Sequence, residues 1–255
     1  MRIIAFYSPK GGVGKTAAAF NTACLASAAG NQTLLWDLDP QGAASFYLAG
    51  ATPTKGRKLT KLMAQDTPIA RAIRETDQPN LTFLPAHGSF RHFDLRLDQA
   101  DDPDVLKTLL APLSEDTGLV ILDCPPTLSR LTEQVLAVAD RVYVPVVPTW
   151  LCLNSWSQLQ AFCKDKKLGH KKLRPFFSMA DRRKSLHRDL LGRASELLDQ
   201  ALPVTIPYAS AVEKMGEQGQ PLQSLAPRSR AAAAYRALWQ AIEKDLRYRK
   251  PRRKP

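Results

Sequence analysis

The sequence has no paired cysteines: its four, Cys24, Cys124, Cys152 and Cys163, are scattered without a C-x-x-C unit. That spacing argues against a zinc ribbon or a disulfide framework and fits separate buried thiols in a reducing cytoplasm. No apolar run reaches the ~18 residues a membrane span needs. The chain enters a strand-like run at Ile3 with no leader pattern ahead of it, so no secretory signal peptide is expected. Internal repeats and low-complexity linkers are also missing. The 255 residues are therefore expected to form one α/β domain over residues 1–247, followed by a disordered basic tail at 248–255.

Acidic charge is what the last third lacks. Residues 1–163 carry 14 Lys+Arg against 15 Asp+Glu, whereas residues 164–255 carry 22 against 9. The formal net charge of +12 thus arises entirely after residue 163, and the chain closes on Arg247-Tyr248-Arg249-Lys250-Pro251-Arg252-Arg253-Lys254. One-sided charge points to a polyanionic partner, nucleic acid or anionic lipid, with a merely solvated basic face as the plainer reading.

What is present begins at Lys10-Gly11-Gly12-Val13-Gly14-Lys15-Thr16. A phosphate loop of the form G-x-x-x-x-G-K-[ST] needs one lysine; this run has two, and its first glycine position is Pro9. An apolar run, Ile3 to Tyr7, precedes it, and an alanine-rich helical stretch, Ala17 to Ala29, follows. In a strand–loop–helix setting, glycines let backbone N–H groups turn toward phosphate oxygens, and the helix start adds partial positive charge. Lys15 is then expected on the β/γ-phosphates and the Thr16 hydroxyl on Mg²⁺.

Strand-like and helical patterns alternate throughout. Strands are expected at Ile3–Tyr7, Thr33–Leu38, Leu81–Pro85, Leu119–Asp123, Arg141–Val147, Leu173–Ser178 and Leu202–Thr205. Helices are expected at Thr16–Ala29, Pro103–Leu113, Leu128–Val138, Asn154–Lys166, Leu186–Asp199 and Ser229–Arg247, with 51–80 the least regular stretch. Uninterrupted runs such as Leu119-Val120-Ile121-Leu122 read as strands buried on both faces. The expected fold class is α/β: a single-domain, mostly parallel twisted sheet with helices on both faces, of the P-loop NTPase kind.

Two further segments carry carboxylates to strand ends, where open α/β sheets place ligands. Asp37 and Asp39 close the second strand, two residues apart and hence expected on one side, one for the Mg²⁺ shell and one to orient water. Asp123 follows four apolar residues in the arrangement that holds Mg²⁺ directly or through its water.

The loop, the Asp37-Leu38-Asp39-Pro40-Gln41-Gly42 segment and the Asp123-Cys124-Pro125-Pro126 segment resemble, in order and spacing, the ParA/MinD family of deviant-Walker ATPases, with Soj-type partition proteins the nearer likeness. Ala139-Asp140, Ser178 to Arg183 and Pro227-Arg228-Ser229-Arg230 extend the resemblance to roughly residues 1–245. The resemblance implies an ATP- and Mg²⁺-dependent sandwich homodimer in the cytoplasm, associated with the nucleoid. It would bind DNA non-specifically and position a plasmid, chromosome or large assembly. A cargo-linked or centromere-binding partner would stimulate its weak hydrolysis.

By the same resemblance, Lys10 crosses to the partner's nucleotide, Lys15 and Asp39 complete the catalytic set, and Asp37, Asp123 and Thr16 serve Mg²⁺. The ATP contacts implied are Lys10, Gly11, Gly12, Val13, Gly14, Lys15, Thr16, Ala17, Met179 and Pro207. DNA contacts are expected from Arg182, Arg183, Lys184, Arg188, Arg249, Lys250, Arg252 and Arg253. Departures stand at Ala17 and Ala43, and at Tyr208 and Ala211, which occupy arginine positions of the family's DNA surface. The alternative is a MinD-like membrane-surface switch using the stripe Tyr235, Leu238, Trp239, Ile242 and Leu246; no large aliphatic residue follows it in 248–255. A metabolic ligase or an iron–sulfur carrier fits less well, because the carrier needs paired cysteines and the ligase leaves the basic tail unexplained.

Overall fold

The computed structural model describes residues 1–49, 61, 68–100, 102 and 104–246, and in it the continuous apolar runs lie side by side in one eight-stranded sheet. The strands are β1 (Arg2–Phe6), β2 (Thr33–Asp37), β3 (Arg74–Glu75), β4 (Leu81–Leu84), β5 (Leu119–Asp123), β6 (Arg141–Val146), β7 (Leu173–Ala180) and β8 (Thr205–Pro207). Their order is β3-β4-β2-β5-β1-β6-β7-β8. All pairs are parallel except the short edge pair β3–β4. The principal helices are α1 (Lys15–Ala28), α2 (Ala43–Ala49), α3 (Phe93–Ala100), α4 (Val105–Leu110), α5 (Arg130–Val138), α6 (Trp150–Asp165), α7 (Ser185–Gly192), α8 (Ser210–Gln218) and α9 (Arg230–Asp245).

Side chains alternate across each strand, so one run of apolar residues feeds two cores. Ala5, Tyr7, Leu34, Trp36, Val120 and Leu122 face Leu106 and Leu109 of α4, Val135 of α5 and Trp156 and Leu159 of α6. Ile4, Phe6, Leu35, Ile121, Tyr143 and Phe176 face Ala19, Phe20 and Ala23 of α1 and Tyr235, Leu238 and Trp239 of α9. The alanines of α1 are strong helix formers, and their small size lets the helix lie close to the sheet. β1 sits between β5 and β6 while the chain leaves it toward β2, so a crevice opens beyond the strand ends at β1.

The expected elements recur with instructive shifts. The helix expected from Asn154 starts at Trp150 because Thr149 caps it, its hydroxyl accepting from the Cys152 N–H at 3.3 Å. Leu186–Asp199 divides into α7, which ends on Gly192, and a turn of helix at Ala194–Leu197, with the break at Arg193. The last strand lies at Thr205–Pro207 rather than Leu202–Thr205, with a register shift against Phe177–Ala180, and Pro203 ahead of it offers no N–H to the ladder. The second strand ends at Asp37, so Asp39 lies in the turn beyond it and is not placed by strand alternation. α2, α3, α8 and β3 were not foreseen: they are short, and of α8 only Met215 is buried. The expected tail at 248–255 and much of the irregular 51–80 stretch lie outside the described residues.

The α9 stripe considered for membrane contact is core. Tyr235, Leu238, Trp239, Ile242 and Leu246 are each no more than 6% exposed. Leu238→Ala should therefore cost about 2–5 kcal/mol, read as a lowered urea midpoint at unchanged slope. A solvent- or lipid-facing leucine would change stability by less than about 0.5 kcal/mol.

Candidate functional site

The site is assembled at the C-terminal ends of β1, β2 and β5. Between β1 and α1 the loop turns through Gly12 at φ 69° and Gly14 at φ 90°, left-handed values that favour glycine. A Cβ on Gly14 would also meet Ser178 Oγ at 3.0 Å. Gly14 caps α1 without a side-chain acceptor, and no acidic residue stands in the first turn. The opening N–H groups of a long helix are thus left for an external anion.

Lys15 is 7% exposed, and its Nζ donates to the Lys10 carbonyl at 3.0 Å. Burial pushes its pKa down, opposed by the charge of Asp123. The side chain of Lys10 is half-buried and, among the described residues, makes no ion pair or hydrogen bond. Val13 points into the core at 2% exposed.

Asp37 and Asp123 are register partners on adjacent parallel strands, 1% and 0% exposed. Asp37 is fully engaged: Oδ1 accepts from the Asp39 N–H at 3.1 Å, and Oδ2 accepts from the Ser45 N–H and hydroxyl at 2.8 Å each. Ser45 Oγ in turn accepts from the Ala86 N–H at 2.8 Å, tying β2, α2 and the end of β4 together. Neither oxygen of Asp123 is within full hydrogen-bond geometry of a partner among the described residues, the Thr16 hydroxyl being the group placed to reach it. Burial and the neighbouring Asp37 raise the Asp123 pKa well above the carboxylate range, while Thr16 and Lys15 oppose this. Burial likewise pushes Asp37 up, to about 6.

A buried carboxylate with free lone pairs, beside a threonine hydroxyl and a second carboxylate, fits a hard divalent cation. Mg²⁺ takes few protein oxygens and fills its shell with water and phosphate, which agrees with the absence of any three-ligand His/Cys/Asp/Glu cluster among the described residues. Thr16 and Asp123 are the groups suited to hold it, with Asp37 oriented behind them by Ser45.

Asp39 opens a turn, its Oδ1 accepting from the Gln41 N–H at 2.9 Å, and also lines the cavity above the loop. That cavity, about 370 Å³, brings together Gly11, Gly12, Gly14, Lys15, Thr16, Ala17, Asp39, Met179 and Pro207 of the expected set; Lys10 and Val13 are not part of its wall. Its apolar side is completed by Tyr47, Ile206, Tyr208, Val212 and Tyr235, with Pro126, Ala43, Ala209 and Glu213 at the edges. Met179, on the cavity wall, holds a left-handed φ of 53°, a value uncommon for residues with a side chain. Sequence reasoning missed Ser45, Tyr47, Tyr235 and Glu213. Tyr208 was visible only as a departure; its hydroxyl donates to Glu213 Oε1 at 3.2 Å.

The expected DNA contacts fall at the end of β7. Arg182, Arg183, Lys184 and Arg188 are exposed. Arg183 is held by Asp181 through Nε at 2.9 Å and Nη2 at 2.8 Å, and this pair holds the Asp181 carboxyl far below its usual range. Arg188 Nη1 donates to the carbonyls of Arg182 and Arg183 at 2.9 and 3.1 Å. Arg249, Lys250, Arg252 and Arg253 lie outside the described residues.

A family described as "AAA domain" matches residues 1–174. The chromosome-partitioning ATPase Soj of Thermus thermophilus is 31% identical, covering 95% of this chain and 95% of that protein. The chromosome partitioning protein ParA of Myxococcus xanthus is 29% identical over 99% of this chain and 92% of its own length. Among solved structures, one described as cobyrinic acid a,c-diamide synthase from Mycobacterium smegmatis, with bound ATP analogue and magnesium, is 29% identical. It superposes with a TM-score of 0.76 over 97% of this chain and 96% of that one.

The carboxylate pair gives the ligand-free protein a pH signature. The folded state keeps protons that the unfolded chain releases, so stability falls as pH rises from about 4, where unfolded carboxylates ionise, through about 6, where Asp37 ionises. Chemical denaturation without Mg²⁺ should show higher stability at pH 5 than at pH 7, and Asp123→Asn should flatten the difference. An unchanged slope in that variant would place the titrating groups elsewhere.

Proposed function

The chain belongs to the ParA/MinD family of deviant-Walker ATPases, and we propose that it is an ATP-driven partitioning or positioning switch. ATP and Mg²⁺ occupy the cavity over the phosphate loop, the loaded chain pairs as a sandwich homodimer, and the dimer holds DNA non-specifically. A cargo-linked or centromere-binding partner accelerates an otherwise slow hydrolysis. The observation that carries this reading is one cavity walled by Lys15, Thr16, Asp39 and the uncapped start of α1, with the buried Asp123 next to Thr16 and Lys15.

The roles follow from chemistry. The loop N–H groups and Lys15 bind the β- and γ-phosphates, giving Lys15 a better acceptor than the Lys10 carbonyl it now uses. Mg²⁺, when bound, neutralises charge on the phosphate oxygens, and Thr16 and Asp123 hold it. Asp39, on the cavity wall and fixed by its turn, orients the attacking water. Met179, Ile206, Pro207 and Tyr235 offer an apolar slot for the base. Lys10, with an unpaired ammonium, reaches the nucleotide of the second chain and stabilises charge on the transferring phosphoryl group, as an arginine finger does. A site lacking that cation hydrolyses slowly until dimer and partner complete it.

Two lysine variants separate these roles. Lys15→Ala should weaken fluorescent ATP binding by at least about tenfold. Lys10→Ala should retain that binding yet lose ATP-dependent dimerisation in sedimentation velocity, or lose hydrolysis. If Lys10→Ala dimerises and turns over like the parent protein, the cross-chain role is wrong.

A further inference from the structure

The basic groups of the C-terminal third differ in how tightly they are tied down. At the nucleotide end Arg183 is clamped by Asp181 and Arg188 by two carbonyls, so both hold the turn after β7 together. At the other end of β7 the connector from α6, residues 164–174, carries six Lys+Arg against a single Asp. Six residues of strand separate Arg174 from Ala180, about 20 Å at the usual rise.

This connector is pinned without using up its charge. Lys166 Nζ pairs with Glu133 at 3.0 Å, and Lys172 Nζ donates to the Ala137 carbonyl at 3.0 Å at the end of α5. Arg174 Nη1 donates to the Lys171 carbonyl at 2.8 Å. Lys164, Lys167 and Lys171 are exposed, and their ammonium groups have no hydrogen-bond or ion-pair partner among the described residues.

Beside the connector lies a cavity of about 480 Å³ whose wall includes Arg141, Arg174, Lys244 and Asp245. The Asp245 carboxylate is shared between Arg141 Nε at 3.1 Å and Arg174 Nε at 3.0 Å, and it also accepts from the Tyr143 hydroxyl at 3.2 Å. Three cations against one carboxylate leave the cavity electropositive. α9 ends at Asp245, on this same edge.

We propose that this edge, formed by Lys164, Lys167, Lys171 and the Arg141–Arg174–Lys244 cavity, is the principal surface for the phosphate backbone of duplex DNA, in place of the Arg183 turn. The proposal rests on the DNA-binding reading given above and assigns it a location. Phosphate neutralisation needs cations in a row: the connector sets three exposed, unpaired lysines beside the three cations of the cavity, whereas at the turn only Arg182 and Lys184 lack a side-chain partner among the described residues. A lipid surface would ask for apolar side chains among the charges, and none of the exposed large apolar residues among the described residues lies in 164–174 or α9. The surface also points away from the nucleotide end, so a dimer closing over its nucleotides leaves it open.

The test is anisotropy of a labelled 30-base-pair duplex of arbitrary sequence, with ATP and Mg²⁺ present, across a salt series. Lys164→Gln/Lys167→Gln/Lys171→Gln should weaken binding about tenfold or more near 0.1 M salt and reduce the log–log salt slope by about 2 to 3, with nucleotide affinity unchanged. Arg182→Gln/Lys184→Gln at the turn should change binding less than the triple variant does. Wild-type affinity in the triple variant, or a larger loss in the turn variant, overturns the assignment while leaving DNA binding itself intact. No duplex binding by the wild type at any salt removes the DNA reading as well. Binding to phosphatidylserine vesicles that the triple variant loses, with duplex binding unaffected, would transfer the edge to lipid.

Discussion

Two carboxylates placed side by side out of water set the terms for the rest of this molecule. Parallel pairing in matched register puts Asp37 and Asp123 at neighbouring strand ends, and burial leaves them little solvent to share their charge with. Each neighbouring feature answers that constraint. Ser45 fixes Asp37 from α2, Lys15 brings a cation into the same space, and the bare start of α1 adds its partial charge. The remaining imbalance falls on Asp123, whose oxygens have Thr16 and Lys15 as their nearest counterweights and no full hydrogen bond among the described residues. An unsatisfied buried carboxylate is costly, so the fold carries a standing affinity for a cation and the anion that accompanies it.

The sheet topology follows from that site as much as it creates it. Placing β1 between β5 and β6 is the arrangement that lets one loop face two carboxylate strands while its helix still packs on the sheet. The apolar alternation of Ile4 and Phe6 against Ala5 and Tyr7 then spreads helices over both faces. Even the apolar stripe of α9 is consumed in this way, which leaves the chain's exposed chemistry at the two ends of the strands.

Much of this was legible in the sequence, and the reasons differ by element. Strands buried on both faces show themselves as unbroken apolar runs, so Leu119–Asp123 matches residue for residue. The phosphate loop was legible because its glycines and lysines serve backbone geometry and charge, which are local demands. Asp39 misled: two-residue spacing suggested a continued strand, but Pro40 and the Asp39 turn end it after Asp37. Ser45 and Tyr47 could not be read, because α2 is seven residues long and its partners, Asp37 and the cavity, are tertiary neighbours. Tyr208 was read as a lost arginine, whereas its position on the cavity wall depends on how β8 runs past the end of β7. The charge imbalance after residue 163 was plain in composition, yet composition could not tell a clamped Arg183 from a free Lys171.

One hydrogen bond described above links the two lysines with which the phosphate loop departs from the minimal pattern. In the structure the Lys15 ammonium rests on the carbonyl of Lys10. A phosphate that claims the ammonium leaves that carbonyl without its donor, at the hinge of a loop whose glycines resist few torsions. Under the reading proposed above, filling the pocket would therefore reach the backbone at residue 10. The same bond that steadies the empty loop thus makes the two lysines neighbours in charge as well as in sequence.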